Sequence, residues 1–391
     1  MAALPGTDLD LFDNDVLADP YPVYAELRAR AGAVFLHRHG AWAITRYAGV
    51  RDALSDWRTF SSAKGTALND VMNAALRGTV LAADPPEHRV LRSVLAEPLA
   101  PRDLRQRFDR LERYATELVD TLVKRCPFDA VTELAQVFQL AVVAELMGLP
   151  DSVRDHLLPW SDASFTAFGP PNERTFRSGE AVREMVLWCR SVPAEDLAPG
   201  SMGRAIFEAA DAGIIEPASC GPLLSAYTTA GVDTTIHALS NAILLFAGNP
   251  TQWDAVRAGD VTVLDAFDEV LRYDSPVQAF TRVTTTDATI DDVPIPAGDR
   301  VVLLYGSANR DERHYPDPDR FDVTRKPGDQ LAFGWGNHAC SGQGLAGLEA
   351  SAVLSALARR VRRWHVGVPR RHLNNILRGL SRLPVERVEL D

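Results

Sequence analysis

Apolar residues recur at helical spacing through most of this chain. Between Asp19 and Ala31, the residues Tyr24, Leu27 and Ala31 share one helix face. Trp42 to Tyr47 reads as a short strand and Ala48 to Ser55 as a short helix. Phe60 to Ala83 is irregular and carries Gly65 and Gly78, which predicts a long loop with a partial helix; long loops are often functional. Glu87 to Cys126 is helical in pattern, interrupted near Pro98 and Pro101. Ala130 to Gly148 predicts a strongly apolar helix, and helical patterns continue to Ala210 with breaks at Gly169 to Pro171 and Pro199 to Gly203. Pro222 to Ala247 reads as one long apolar helix and Leu264 to Tyr273 as another.

The texture then changes. Thr281 to Val302 is β-rich, and Ile295-Pro296-Ala297-Gly298 marks a tight turn between short strands. Tyr305 to Leu331 is an irregular meander rich in Asp, Arg and Pro. A last long helix is predicted from near Cys340 to about Arg363, and short strands from Leu377 to Asp391. The expected class is mainly α with a minor β part. No Gly/Ser run or Pro-rich spacer divides the 391 residues, so a single domain over 1–391 is expected.

The net charge of −11 argues against general affinity for nucleic acid, which needs a basic surface. The start, MAALPGTDLDLFDND, has neither the basic region nor the apolar stretch of a signal peptide. No stretch reads as approaching the ~20 apolar residues of a membrane span. A cytoplasmic monomer is expected, without membrane attachment. The four cysteines, Cys126, Cys189, Cys220 and Cys340, are far apart and form no C-x-x-C pair, so neither a zinc site nor a disulfide framework is expected. The first three sit in contexts that suit packing.

Cys340 has a different neighbourhood: Phe333-Gly334-Trp335-Gly336-Asn337-His338-Ala339-Cys340-Ser341-Gly342, leading into a helix. A Gly-rich turn before a helix, with a buried cysteine, would also account for this segment taken alone. It equally suits an ionised sulfur. Glycines let backbone N–H groups approach it, and the positive end of the following helix favours the thiolate.

This F-G-x-G-x-H-x-C-x-G segment resembles the heme-binding loop of the cytochrome P450 family. The resemblance implies heme b, with Cys340 as its iron ligand, Phe333 shielding the sulfur and Gly334 and Gly342 shaping the loop. His338 would reach a heme propionate. It departs from the family at Ser341, where an apolar residue is usual. A thiolate ligand donates electron density to iron and favours O–O cleavage.

Further segments resemble the same family. Glu269-Val-Leu-Arg272 looks like its E-x-x-R helix, with Arg320 of Asp317-Pro-Asp-Arg-Phe321 as the third member of an ion-pair network. Ala230-Gly231-Val232-Asp233-Thr234-Thr235 resembles the oxygen-activating kink of a long central helix, where Asp233 would relay protons and Thr234 would hydrogen-bond bound oxygen or its partner water. A buried carboxylate in so apolar a helix is costly without a function. Asp84-Pro-Pro-Glu-His88-Arg-Val-Leu-Arg92 resembles a propionate-binding segment, His88 and Arg92 facing one way, with Arg282 as another propionate arginine. The implied fold is a triangular prism with heme between the central helix and the cysteine-loop helix.

The family resemblance implies a monooxygenase using O2, a small-molecule substrate and a separate ferredoxin-type donor with its reductase. Arg89, Arg92, Arg102, Arg105 and Arg107, with Arg359, Arg360, Arg362 and Arg363, are basic clusters that suggest an acidic partner. Candidate substrate residues are Lys64, Phe165, Phe168, Ser225, Thr229, Ala230, Val277, Phe280 and Leu380. Phe-x-x-Phe-Gly-Pro and Ser-Pro-Val-Gln-x-Phe-x-Arg resemble bacterial members that O-demethylate methoxy-aromatics such as para-methoxybenzoate. Hydroxylation of a terpenoid, fatty acid or natural-product intermediate, or a heme sensor, are the alternatives.

Overall fold

The structure is a computed structural model describing residues 4–96 and 98–390. Helices fill the middle of the chain, and strands gather towards its two ends. The largest sheet has the order Gly6–Thr7, Ala33–Leu36, Ala41–Ile44, Arg300–Leu304, Ala279–Thr284, Phe60–Ser61. Within it Ala279–Thr284 pairs antiparallel with Arg300–Leu304, Ala279 opposite Leu304 and Arg282 opposite Val301. Side chains alternate along a strand, so Phe280 and Arg282 leave the sheet on one face, and both line the cavity described below.

The long apolar helix is two helices, Cys220–Ala230 and Asp233–Gly248, joined through Gly231 and Val232. The break has a hydrogen-bonding cause. The Gly231 carbonyl accepts from Gln139 Nε2 at 2.7 Å, and the Thr229 carbonyl accepts from the Ser161 hydroxyl at 2.9 Å. Side chains from two neighbouring helices thus bind carbonyls at the break, where a straight helix would keep its own ladder. The apolar helix after Ala130 opens with a π-helical stretch, Ala130–Ala135, runs α-helical over Gln136–Met147 and stops at Gly148 with φ +68°. That left-handed stop is the natural use of glycine.

The helix after Cys340 is shorter than its pattern suggests. It covers Gln343–Ala358, and Val361–Val366 is a strand paired antiparallel with Pro384–Leu390. Buried Val361 and Trp364 lie three apart, a spacing that suits a helix face as well, and the strand takes it up through an irregularity in register between Val361 and Arg363. Two helical stretches, Ala130–Met147 and Pro217–Gly248, are long and apolar enough to cross a membrane by length and composition, against the sequence expectation. Their most apolar windows are 61% and 67% buried inside the fold, so most of that apolar surface is spent on the core.

The meander from Asn309 onward is held by the helix Val263–Tyr273. Glu269 and Arg272, both fully buried, pair at 2.7 Å, and Arg272 donates to the carbonyls of Asn309, Pro318 and Arg320. The expected third member needs correction. The Arg320 side chain is exposed, and its charged neighbour is Asp322 at 3.6 Å; the arginine that reaches Glu269 is Arg325, at 3.5 Å.

Candidate active site

A cavity of about 260 Å3, as the space open to the centre of a water molecule, lies between the broken central helix and the loop carrying Cys340. The loop is closed by a hydrogen bond from the Cys340 N–H to the Phe333 carbonyl at 2.8 Å. Gly334 and Gly336 both sit at φ +68°, a region that other residues enter at a cost. Gly342 does not, with φ −87°. A Cβ there would lie 3.8 Å from the Cys340 sulfur, an ordinary contact.

Cys340 is exposed by area, but the surface it shows faces this internal cavity. Burial pushes its thiol pKa up, while the N–H groups of Gly342 and Gln343 hydrogen-bond the sulfur and pull the other way. Those N–H groups open the helix Gln343–Ala358, so the positive helix end also favours the thiolate. The loop's turn is sensitive to substitution. A Cβ on Gly336 would lie 2.6 Å from the Leu54 carbonyl oxygen, whereas one on Gly334 would meet nothing closer than 3.5 Å. Gly334→Ala is expected to cost only the left-handed strain, roughly 1–2 kcal/mol. Gly336→Ala adds a backbone clash and should lower the thermal midpoint and heme retention further, as melting and heme titration would record.

One end of the cavity collects basic groups. His88 and His338 meet at 4.3 Å between ring centroids with their planes tilted by 52°, and the Nε2 atom of each is buried without a partner. Burial first, then neighbouring positive charge from Arg92 on His88 and from Arg282 on His338, lowers both pKa values. Arg92 donates to the Asn337 carbonyl at 3.3 Å and Arg282 to the Thr281 carbonyl at 2.7 Å. Four basic side chains around an apolar cavity, two with orphaned nitrogens, call for a partner bearing carboxylates. Among the described residues no group of three or more His, Cys, Asp or Glu could hold a bare metal ion. A heme fits this arrangement: it brings its own four nitrogens and two propionates, and it needs one axial sulfur.

The opposite wall is the helix break. Asp233 is 2% exposed, and its Oδ2 has no partner. Burial, then the charge of Asp162, pushes its pKa up to about 7. The Thr234 hydroxyl donates to the Ala230 carbonyl at 2.9 Å, and both residues line the cavity. Sequence reasoning missed the carboxyl behind this break. Glu349, from the cysteine-loop helix, accepts from Gln139 Nε2 at 3.2 Å and from the Thr235 hydroxyl at 3.3 Å. Burial pushes its pKa up to about 8. It is a lone carboxyl in an apolar helix, the signal that singled out Asp233. Tyr227, also on the central helix, lines the cavity with Ser341, and its hydroxyl is close enough to that of Ser341 to affect its pKa.

The structure separates the substrate candidates. Phe165, Phe168, Thr229, Ala230, Val277 and Phe280 line the cavity. Phe168 meets Phe280 edge to face at 5.3 Å and Phe165 at 6.3 Å, so the three form one aromatic wall. Ser225 lines a smaller adjoining cavity, with Met72, Met185 and Arg190. Lys64 is exposed and lines neither space; its loop turns its side chain outward. Leu380, 1% exposed, is packed in the main core, because its strand presents it to helices rather than to the cavity.

The family model for cytochrome P450 matches residues 223–384. The chain is 37% identical over 391 residues to cytochrome P450 CYP199A2 of Rhodopseudomonas palustris, covering 98% of this chain and 95% of that one. It is 31% identical to the cytochrome P450 monooxygenase PikC of Streptomyces venezuelae, covering 98% and 95%. Among solved structures, cytochrome P450 CREJ in complex with (4-ethylphenyl) dihydrogen phosphate superposes with a TM-score of 0.87 at 27% identity, over 97% of this chain and 98% of that one. The thiolate loop, the basic cage and the broken helix are thus found on the fold of these relatives, and the chain belongs to the cytochrome P450 family as a monooxygenase that binds heme b.

Proposed function

We propose that this monooxygenase, a single domain over 1–391, oxidises a small neutral aromatic compound by hydroxylation or oxidative O-demethylation. The observation that carries this reading is the lining of the cavity. Phe165, Phe168 and Phe280 form its aromatic wall, and its basic side chains are His88, Arg92, Arg282 and His338. All four belong to the propionate end, and Arg190, which shares the smaller adjoining cavity with Phe168, does not line this one. A buried unpaired carboxylate is costly. The same cavity has to hold heme and substrate together, which favours a small molecule. The aryl phosphate bound by CREJ, para-substituted, is a ligand of the size and flatness that such a wall suits.

Heme, when bound, supplies the iron at which O2 is activated with two electrons. The chain's own residues do the rest. Cys340 would hold the iron through its thiolate, with the N–H groups of Gly342 and Gln343 moderating its charge. Phe333 would shield that sulfur, and Gly334 and Gly336 let the loop turn at positive φ. His88, Arg92, Arg282 and His338 hold the propionates. The Thr234 hydroxyl, which donates to the Ala230 carbonyl on the cavity wall, would be free to accept a hydrogen bond from a molecule held there or to offer one. Asp233, with a pKa of about 7, can hold or release a proton at neutral pH; it is not itself part of the cavity lining, so its proton would reach the cavity by way of its neighbours.

A separate ferredoxin with its reductase supplies the electrons. The basic clusters divide on this point. Arg359, Arg360, Arg362 and Arg363 are paired with Glu112, Asp120, Glu389 and Asp254, which cancels much of their field. Arg89, Arg102 and Arg105 are exposed and remain for an acidic partner. A cytoplasmic monomer is the accompanying reading, since the two long apolar helices spend most of their surface on the core.

The test is a spin-state titration of the ferric holoprotein. Neutral 4-methoxytoluene should shift the heme to high spin at lower concentration than 4-methoxybenzoate does. Phe168→Ala should weaken that binding by about 1–3 kcal/mol, the scale of a lost aromatic contact plus its cavity. Tighter binding of the benzoate would overturn the neutral-substrate reading.

A further inference from the structure

Asp233 is almost fully buried, so a proton that it gives away has to be replaced through its neighbours. On the outer side of the helix break lies the helix Leu157–Ala167. Its Ser161 hydroxyl donates to the Thr229 carbonyl at 2.9 Å and accepts from the Asp233 N–H at 3.4 Å, so this helix rests on the break itself. The next residue, Asp162, receives hydrogen bonds from His372 Nε2 at 2.7 Å and from Asn374 Nδ2 at 2.8 Å. The side chains of His372 and Asp162 are 28% and 40% exposed, and neither residue lines the heme cavity. The pair therefore touches outer solvent on one side and the neighbourhood of Asp233 on the other.

A second histidine closes the arrangement. His237 lies four residues beyond Asp233, on the same helix face. Its ring stacks on that of His372 at 5.5 Å between centroids, and both of its nitrogens are buried without partners. Burial, then the charge of His372, pushes its pKa down to about 3, so it stays neutral. Gly379 makes room for it: a Cβ there would lie 2.0 Å from His237 Nδ1. His237 walls off the pair without taking its proton.

We infer that Asp162 and His372 form the solvent end of the proton supply to Asp233. The inference rests on the reading of Asp233 as the inward proton donor. The His372 imidazolium gives its proton to the Asp162 carboxylate. The Asp162 carboxyl passes it to the Asp233 carboxylate through intervening water, since the two carboxyls share no hydrogen bond. A solvent proton then restores the imidazolium, and no electrons move. The charged and titratable groups that face the pair are Asp233 and His237 on the central helix and Arg371 on the hairpin of His372; Arg371 is itself paired with Asp274 at 3.3 Å. The pair is ionic at rest. Burial opposes charge on both members, but their hydrogen bond and mutual attraction outweigh it, lowering the pKa of Asp162 and raising that of His372. Both are positioning residues, acting through Asp233.

The holoprotein of four variants tests this: Asp233→Asn, Asp162→Asn, Asp162→Glu and His372→Gln. The first readout is the infrared carboxyl band of Asp233, assigned by its loss in Asp233→Asn and titrated with pH in resting ferric protein. Asp162 raises the pKa of Asp233 and His372 lowers it. Asp162→Asn should therefore move the midpoint down, and His372→Gln should move it up. The second readout is hydrogen peroxide released per NADH with 4-methoxytoluene, driven by a bacterial [2Fe–2S] ferredoxin and its reductase. Asp162→Asn and His372→Gln should leak severalfold more peroxide than the unmodified protein. They should also lose the decline in coupling that the unmodified protein shows as pH rises through the raised pKa of His372. Asp162→Glu should restore both. If Asp233→Asn uncouples while both relay variants keep the unmodified midpoint and pH profile, the relay is overturned and the role of Asp233 stands. If Asp233→Asn leaves coupling unchanged, the reading of Asp233 falls, and the relay with it.

Discussion

Cys340→His should remove the thiolate-type Soret band of the reduced carbon monoxide complex, replace it with the band of a nitrogen-ligated heme, and abolish monooxygenase turnover. The reasons lie in what surrounds the sulfur. Three backbone features aim at this one position: the Cys340 N–H bound to the Phe333 carbonyl, and the N–H groups of Gly342 and Gln343 that face the sulfur. They suit an anion. A neutral imidazole meets donors where it has no charge to offer, and it pushes less electron density onto iron than a thiolate does. The basic cage of His88, Arg92, Arg282 and His338 is untouched by the change, so the variant is expected to retain heme. Retained heme with altered ligation is what separates loss of the ligand from loss of the fold. A thiolate-type band in Cys340→His, with heme content unchanged, would show that another of the free cysteines, Cys126, Cys189 or Cys220, ligates the iron.

The thiolate loop was legible because its signals are local. Two glycines at positive φ, a helix start and a cysteine all fall within ten residues. The same holds for Asp233, a carboxylate in an apolar run. What was not legible depends on contacts between distant segments. The motif from Ala230 to Thr235 led to the expectation of a kink, but Gln139, Glu349 and Ser161 meet the break from three different helices, and no spacing in the sequence announces the side chains that make it a full break at Gly231. The smooth apolar pattern from Pro222 to Ala247 reports burial on all sides, and burial does not distinguish a straight helix from a broken one. The strand Val361–Val366 was read as helix for a similar reason: its arginines suit an exposed helix face as well as a sheet edge. Lys64 was offered for its charge and Leu380 as part of a candidate pocket segment, and neither property fixes the direction in which a side chain leaves an irregular loop or a short hairpin.

Glu269→Ala should destabilise the folded protein by about 3–5 kcal/mol, because it leaves the fully buried Arg272 guanidinium without its counter-charge. More than a pair is at stake. Glu269 Oε1 also accepts from the Asp322 N–H at 2.9 Å, so the carboxylate holds the meander directly as well as through Arg272. The meander leads into the Cys340 loop, and Asn309 Oδ1 accepts from the Leu331 N–H at 2.7 Å just before that loop begins. Loss of Glu269 should therefore appear twice, as a lower denaturation midpoint and as weaker heme retention. The two arginines beside it give the control. Arg320 offers its carbonyl to Arg272 but keeps its side chain in solvent, so Arg320→Ala should cost at most about 1 kcal/mol. Arg325 is mostly buried with its guanidinium near Glu269, and it also donates to the carbonyls of Pro316 and Asp317; Arg325→Ala should fall between the other two. Denaturant midpoints of the three holoproteins, measured with their heme content, rank them. If Arg320→Ala proved as damaging as Glu269→Ala, the ion-pair network would be the one expected from the sequence motif, and the inward turn of Arg325 would be wrong.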